Sequence, residues 1–303
     1  MKKVLLTTTA LVMTAGVAAA EVSMSGKAQV SAGATGNDDM ALETHLDLNL
    51  SMSMTADNGM TMSTAIGYDS GNMVDGDHYD GDETAGWGAT TSAPSLTIGY
   101  EGYTITADST GVADLYNGDK NSGNLGVAGS MGDVSFALTG NIGGDNTTVA
   151  GGSSYSLGYT MGDMTIAIVG SDSADGVINT DAMKATVTYK MGDTTITASS
   201  DDKDGVETVT AIGFSTVMDS ITVAYTAKNT ETAGSSVGDH WDASIAYSAG
   251  ALTASFALDE ADKSTLKAGY DLGGGADLFA VMVNGAAANG SEDFQAIGIN
   301  FAF

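Results

Sequence analysis

Whatever chemistry this chain does must be done with carboxylates, hydroxyls and a few lysines. Cysteine and arginine are absent from its 303 residues. Thiol and thiolate–metal chemistry are therefore excluded, and no disulfide staples the fold. The forked guanidinium that clamps carboxylate or phosphate ligands is missing too. His45, His78 and His240 fall in different segments, with neither metal-ligand spacing nor a serine–histidine–acid grouping around them. No glycine-rich segment follows a strand and opens a helix, so a phosphate cradle has no support. The densest set of hard oxygen donors is Asp75-x-Asp77-x-x-Asp80-x-Asp82-Glu83. Calcium suits such donors, but the EF-hand spacing is absent, and the stretch reads first as a solvated acidic loop. Asp75, Asp77, Asp80 and Asp82 are thus candidates for a structural calcium. No cofactor is required and no catalytic residue is assigned.

The placement of the remaining charges depends on the elements that carry them, and those elements are strands. Over 41–54, Leu42, Leu46, Leu48, Leu50, Met52 and Met54 share one face, while Glu43, His45, Asp47, Asn49, Ser51 and Ser53 share the other. The stretch 23–34 alternates in the same way. Lys27, Lys184, Lys190, Lys228 and Lys267 all fall on polar faces of such segments. The last ten residues end the pattern on aromatics, with Ile297, Ile299, Phe301 and Phe303 on one face. A terminus normally frays, so a final Phe needs an apolar home, either a protein core or a lipid bilayer.

Reading in order, hairpins are expected at 124–131 with 134–141, 153–161 with 164–172, 180–190 with 194–201, and 207–217 with 220–228. They continue at 239–248 with 251–259 and 264–272 with 276–285, followed by the strand 293–303. Met-Gly-Asp recurs at 131–133, 161–163 and 191–193, each copy at a hairpin tip where glycine supplies positive φ. Short turns alternate with longer connections at 139–152, 171–179, 201–206 and 229–238, and breaks in the pattern occupy 70–93 and 109–123. Such alternation belongs to an up-and-down barrel with two unlike ends.

The segment count is eighteen, an even number that puts both ends of the chain at the short turns. The polar faces are small and hydratable, and tyrosines cluster near strand ends, as at membrane interfaces. The expected fold is an all-β, closed antiparallel transmembrane β-barrel of 16 or 18 strands, 18 by the segment count. Its turns are short and periplasmic, its loops longer and external. A barrel of this size encloses a water-filled channel. Phe301 and Phe303 then mark the closing strand, which should pair with the strand beginning at Val22.

Residues 1–20 read as a cleaved signal peptide, with Lys2 and Lys3, an apolar stretch and Ala18-Ala-Ala20. The barrel is then 21–303, with eight lysines against 38 acids and a formal net charge of −30. Nucleic acid is excluded as a partner for want of a basic footprint. The alternative is an acidic calcium-binding secreted or surface structural or adhesive β-protein, but the calcium-solenoid nonapeptide does not occur.

Three patches give a family resemblance: Glu21-Val-Ser-Met-Ser-Gly26, Val112-Ala-Asp-Leu-Tyr116 and Tyr270-Asp-Leu-Gly-Gly-Gly-Ala276. With the final Phe, they resemble the Gram-negative general porins, in particular those of the Rhodobacter group. The resemblance implies a homotrimer in the outer membrane, passive diffusion of small hydrophilic solutes, and a terminal Phe read by the barrel-assembly machinery. It implies sixteen strands, two fewer than the count. It also implies that 109–123 folds inward as a constriction, with Asp114 and Asp119 as its acids and Lys120 beside them. The chain departs from the family on the second strand, where the family has arginines and this polar face has Glu43, His45 and Asp47. With Lys27, Lys184, Lys190, Lys228 and Lys267 as scattered cationic points among 38 acids, field focusing should favour cations.

Overall fold

The computed structural model describes residues 20–36, 38–71, 90–91, 94–116, 121–142, 152–173, 181–232, 235–285 and 293–303. Its strands are β1 (Ala20–Thr35), β2 (Ala41–Thr55), β3 (Thr61–Gly71), β4 (Thr90–Thr91), β5 (Ser95–Tyr100), β6 (Tyr103–Ala113) and β7 (Asn121–Met131). They continue as β8 (Val134–Gly140), β9 (Gly152–Met161), β10 (Met164–Ser173), β11 (Ala182–Met191), β12 (Thr194–Lys203) and β13 (Glu207–Met218). The wall is completed by β14 (Ile221–Thr232), β15 (Ser235–Ala249), β16 (Leu252–Asp259), β17 (Ser264–Gly273), β18 (Ala276–Asn284) and β19 (Phe294–Ala302). Among the described residues there is no helix.

β4 and β5 both pair with β3, β4 at Tyr68 and Asp69 and β5 at 61–65, so the two pieces fill one position in the wall. The barrel therefore has eighteen staves, each antiparallel to its neighbours, which agrees with the segment count rather than the sixteen implied by the resemblance. β1 pairs with β2 on one side and with β19 on the other, closing the sheet. Among the described residues, closure leaves no edge strand to template further pairing.

The turns show why the chain folds back where it does. Gly132, Gly162 and Gly192, the centres of the three Met-Gly-Asp copies, have φ of 62°, 58° and 60°. Positive φ at the first central residue alone is the signature of a type II′ hairpin, whose twist matches that of the strands. The ladder runs on to the tips, because Thr160, Lys190 and Val217 donate backbone N–H groups to the carbonyls of Asp133, Asp163 and Asp193.

The closing strand is held to its last residue. Gly26 donates its N–H to the Phe303 carbonyl at 2.9 Å and accepts from the Phe303 N–H at 3.1 Å. A Cβ at position 26 would stand 2.8 Å from the ring of Phe303, so glycine leaves the slot this ring fills.

Three expectations from sequence need correction. The break at 109–123 is mostly strand, because β6 runs to Ala113 and β7 starts at Asn121, with register shifts on either side of Val112 hiding the alternation. The connection expected at 229–238 is also largely strand, since β14 and β15 pair out to Thr232 and Ser235 with one shift beside Thr230. The break at 70–93 is shorter than expected: β3 extends to Gly71 and β4 lies inside the stretch. Bulges break period-two patterning without ending a strand. The signal stretch 1–19 and the acidic stretch 75–83, with Asp75, Asp77, Asp80, Asp82 and His78, lie outside the described residues, as do Asp119 and Lys120.

Candidate functional site

Strand parity sorts every side chain to one of two faces. Met24, Val30, Leu42, Leu157, Val187, Ile212, Phe256, Ile297 and Phe301 all stand exposed on one of them. Large apolar chains left bare by the fold belong against lipid, and the opposite face is then the inner wall. On the outer face Tyr100 pairs with Tyr103 beside the β5–β6 turn, and Tyr225 on β14 stacks on Trp241 of β15 with ring centroids 6.4 Å apart.

The face opposite these apolar chains carries, by strand parity, Lys27, Glu43, His45, Asp47, Lys184, Lys190, Lys228 and Lys267. Lys27 lies opposite Asp47 in the β1–β2 ladder, Gln29 opposite His45 and Ser31 opposite Glu43. His45 Nε2 is 2.6 Å from Asp69 Oδ1, and Asn49 donates to Asp47 at 2.9 Å. Lys184 lies 3.8 Å from Asp201, and Lys228 reaches Asp242 at 2.5 Å. Lys203, not singled out from sequence, reaches Glu207 at 2.5 Å. Lys27, Lys190 and Lys267 make no ion pair with the described residues. Across the closing seam Gln29 donates to Asn300, and Asn300 to Asp277, each at 2.9 Å.

Residues 114–116 form a strap that leaves the end of β6 and binds the wall several staves away. Leu115 donates its N–H to Ser154 Oγ on β9 at 2.9 Å. The Ser171 hydroxyl on β10 donates to Asp114 Oδ2 at 2.7 Å. The Tyr116 hydroxyl donates to Asp201 Oδ1 on β12 at 2.5 Å. Ser154 and Thr139 share a hydroxyl–hydroxyl bond of 2.6 Å beneath the strap. Asp114 is 6% exposed and Ser154 2%, so the Asp114 carboxylate is turned to the wall. It also caps the Tyr116 N–H at 2.8 Å. Burial first, and then the bond to Asp201, push the Tyr116 phenol well above its ordinary range. Sequence reasoning singled out Asp114, quoted Tyr116 only within the patch 112–116 without a role, and missed Ser154, Ser171, Thr139 and Asp201. The available signal was a lone tyrosine in a Gly/Asn/Asp-rich stretch.

A second feature was also missed. Val281, Val283, Phe294 and Ala296 form a buried apolar cluster with Phe279 against it, on the inner-facing parity of β18 and β19. The inner wall is therefore not uniformly polar. β18 is apolar on both parities, with Leu278 and Met282 on its outer face, and that doubled pattern was visible in the sequence.

A family model for Gram-negative porins matches residues 7–285. The chain belongs to the Gram-negative porins. Among solved structures, a triple mutant of the Rhodopseudomonas blastica porin shares 16% identity, covering 93% of this chain and 100% of that one, at a TM-score of 0.58. A five-fold mutant of the same porin gives 15% identity with the same coverage and TM-score. A further triple mutant gives 17% identity, again with 93% and 100% covered and a TM-score of 0.58. No curated protein matches the chain. As a porin, the chain is an outer-membrane channel whose eighteen staves enclose a wall of hydroxyls, acids and lysines. At the loop end of this porin, Glu260 takes a hydrogen bond from His240 and another from the Trp241 N–H at 3.1 Å. The His240 bond holds the Glu260 carboxyl below its ordinary range.

Proposed function

We propose that this porin passes small hydrophilic solutes by diffusion with a weak to moderate preference for cations, and that residues 109–123 narrow its pore. The observation carrying the preference is that three of the wall lysines are matched, Lys184 with Asp201, Lys203 with Glu207 and Lys228 with Asp242, while Lys27, Lys190 and Lys267 stand on three separate strands. Each pair is close to neutral and the unpaired lysines are dispersed, so among the described residues no cationic cluster faces the pore, and the surplus of the chain's 38 acids sets the sign of the field. In a KCl gradient across a planar bilayer, the reversal potential should have the sign of a potassium-selective pore. A chloride-selective sign overturns the preference.

Asp114, Asp119 and Lys120 are assigned to the narrowing segment, and Lys27, Glu43, His45, Asp47, Lys184, Lys190, Lys228 and Lys267 to the pore lining. A homotrimer is the proposed assembly. Its support is the chain's membership of the Gram-negative porins. Export with cleavage after residue 20, recognition of Phe303 by the barrel-assembly machinery, and an optional structural calcium at Asp75, Asp77, Asp80 and Asp82 complete the proposal.

A further inference from the structure

We infer that Asp114 acts in this porin as a positioning residue, a latch that holds the 114–116 strap on the inner wall, and not as a charge that selects the permeating ion. The inference rests on the reading of 109–123 as the narrowing segment and gives that segment its fastening. A carboxylate that reads passing ions must face them. The Asp114 carboxylate instead faces protein, taking the Ser171 hydroxyl on one oxygen and the Tyr116 N–H on the other. Its charge is buried with the wall hydroxyls, and Ser154 and Thr139 bond each other directly beneath.

The strap spans its contacts in three consecutive residues. Asp114 is fixed to β10, Leu115 through its backbone to β9, and Tyr116 to β12. All three anchors are hydrogen bonds, and two involve an ionised carboxylate. Bonds of that kind are worth enough to shift a docked-to-undocked ratio by roughly 10- to 100-fold each. Asp201 is shared: it accepts from Tyr116 and lies 3.8 Å from Lys184, so the β12 anchor is tied to the wall's own ion pair. The position of the strap, and with it the free cross-section of the pore, then follows these side chains.

The test separates charge from hydrogen bonding. Asparagine at 114 removes the charge but keeps an oxygen for the Tyr116 N–H and an amide to donate to Ser171 Oγ, whereas alanine removes both. Single-channel conductance, its substates and the cation-to-anion permeability ratio are measured for Asp114→Ala, Asp114→Asn, Tyr116→Phe and Ser171→Ala. Heat-modifiable gel migration first confirms that each barrel is folded. Asp114→Ala, Tyr116→Phe and Ser171→Ala should each populate a larger-conductance state at least about ten times more often. Asp114→Asn should recover most of the wild-type pattern, and none should change the permeability ratio by more than the widening itself does. Equal loss of cation preference in Asp114→Asn and Asp114→Ala, at unaltered conductance, overturns the latch and makes Asp114 a selectivity acid. If Asp114→Ala does not fold, Tyr116→Phe and Ser171→Ala decide, and unaltered conductance in both overturns it. Deleting 115–119 keeps the two readings apart. No conductance change on deletion sinks the narrowing segment itself, while a rise on deletion with none in the point variants sinks only the latch.

Discussion

A buried hydroxyl or carboxylate is costly unless it finds a partner, and that rule explains which single residues could be read from the sequence. Strand parity and the cost of a charge in lipid assign the lysines to one face from sequence alone, and on the parity of that face Lys184 and Lys228 each meet an acid. The orientation of Asp114 was not legible. Its environment comes from Ser154 and Ser171, which are ordinary polar-face residues in their own strands until the strap crosses to them. The His240–Glu260 bond yields a pH prediction. A carboxyl held below its ordinary range contributes stability above its unfolded pKa, and that stability is lost as pH falls through the lower, folded value. Protection of the 260–263 turn against a protease should therefore persist below about pH 4, the ordinary range for glutamate. In His240→Ala the loss should move to higher pH. Identical acid profiles for the two proteins would remove His240 as the cause.

Among the elements, the hairpins from β7 to β18 lie within a few residues of the expected spans, because alternation and Gly-Asp or Gly-Gly tips are both local signals. The failures cluster where register shifts: β6 carries three residues more than β7 between Ala107 and Val112, β7 one more between Val112 and Ala113, and β15 one more opposite Thr230 and Glu231, so a continuing strand reads as a loop. The element most open to test is the closing pair. In Gly26→Val the new side chain would meet both the Phe303 ring and the Asp47 carbonyl, whose oxygen lies 2.5 Å from an ideal Cβ. Overpacking of this kind costs about 1–3 kcal/mol. A lower urea midpoint is expected, followed by tryptophan fluorescence in detergent. An unshifted midpoint would show that the ring does not need this slot.

For the whole molecule, the inside-out arrangement of the barrel makes a paired prediction on one strand. Val187 faces outward and is 41% exposed, while the adjacent Thr186 faces the inner wall. Val187→Lys should destabilise by about 2–4 kcal/mol if it lies near mid-depth, whereas Thr186→Lys should fold nearly as wild type and lower the cation preference instead. Equal destabilisation of the two in lipid-vesicle unfolding would contradict the assignment of faces. The number of staves was legible because each hairpin announces itself, but the apolar patch at Val281, Val283 and Phe294 was hidden by the assumption that an inner wall is polar throughout. The seam has a consequence for assembly in time. Gln29 and Asn300, bonded across it, are 271 positions apart. The first stave must wait, with one side unpaired, until the last has arrived. Pairing over so long a separation is slow, and an unpaired strand is a template for association with other chains. Until that final zipping, the growing sheet is an aggregation hazard, and the time it spends open is what a chaperone for this protein would have to cover.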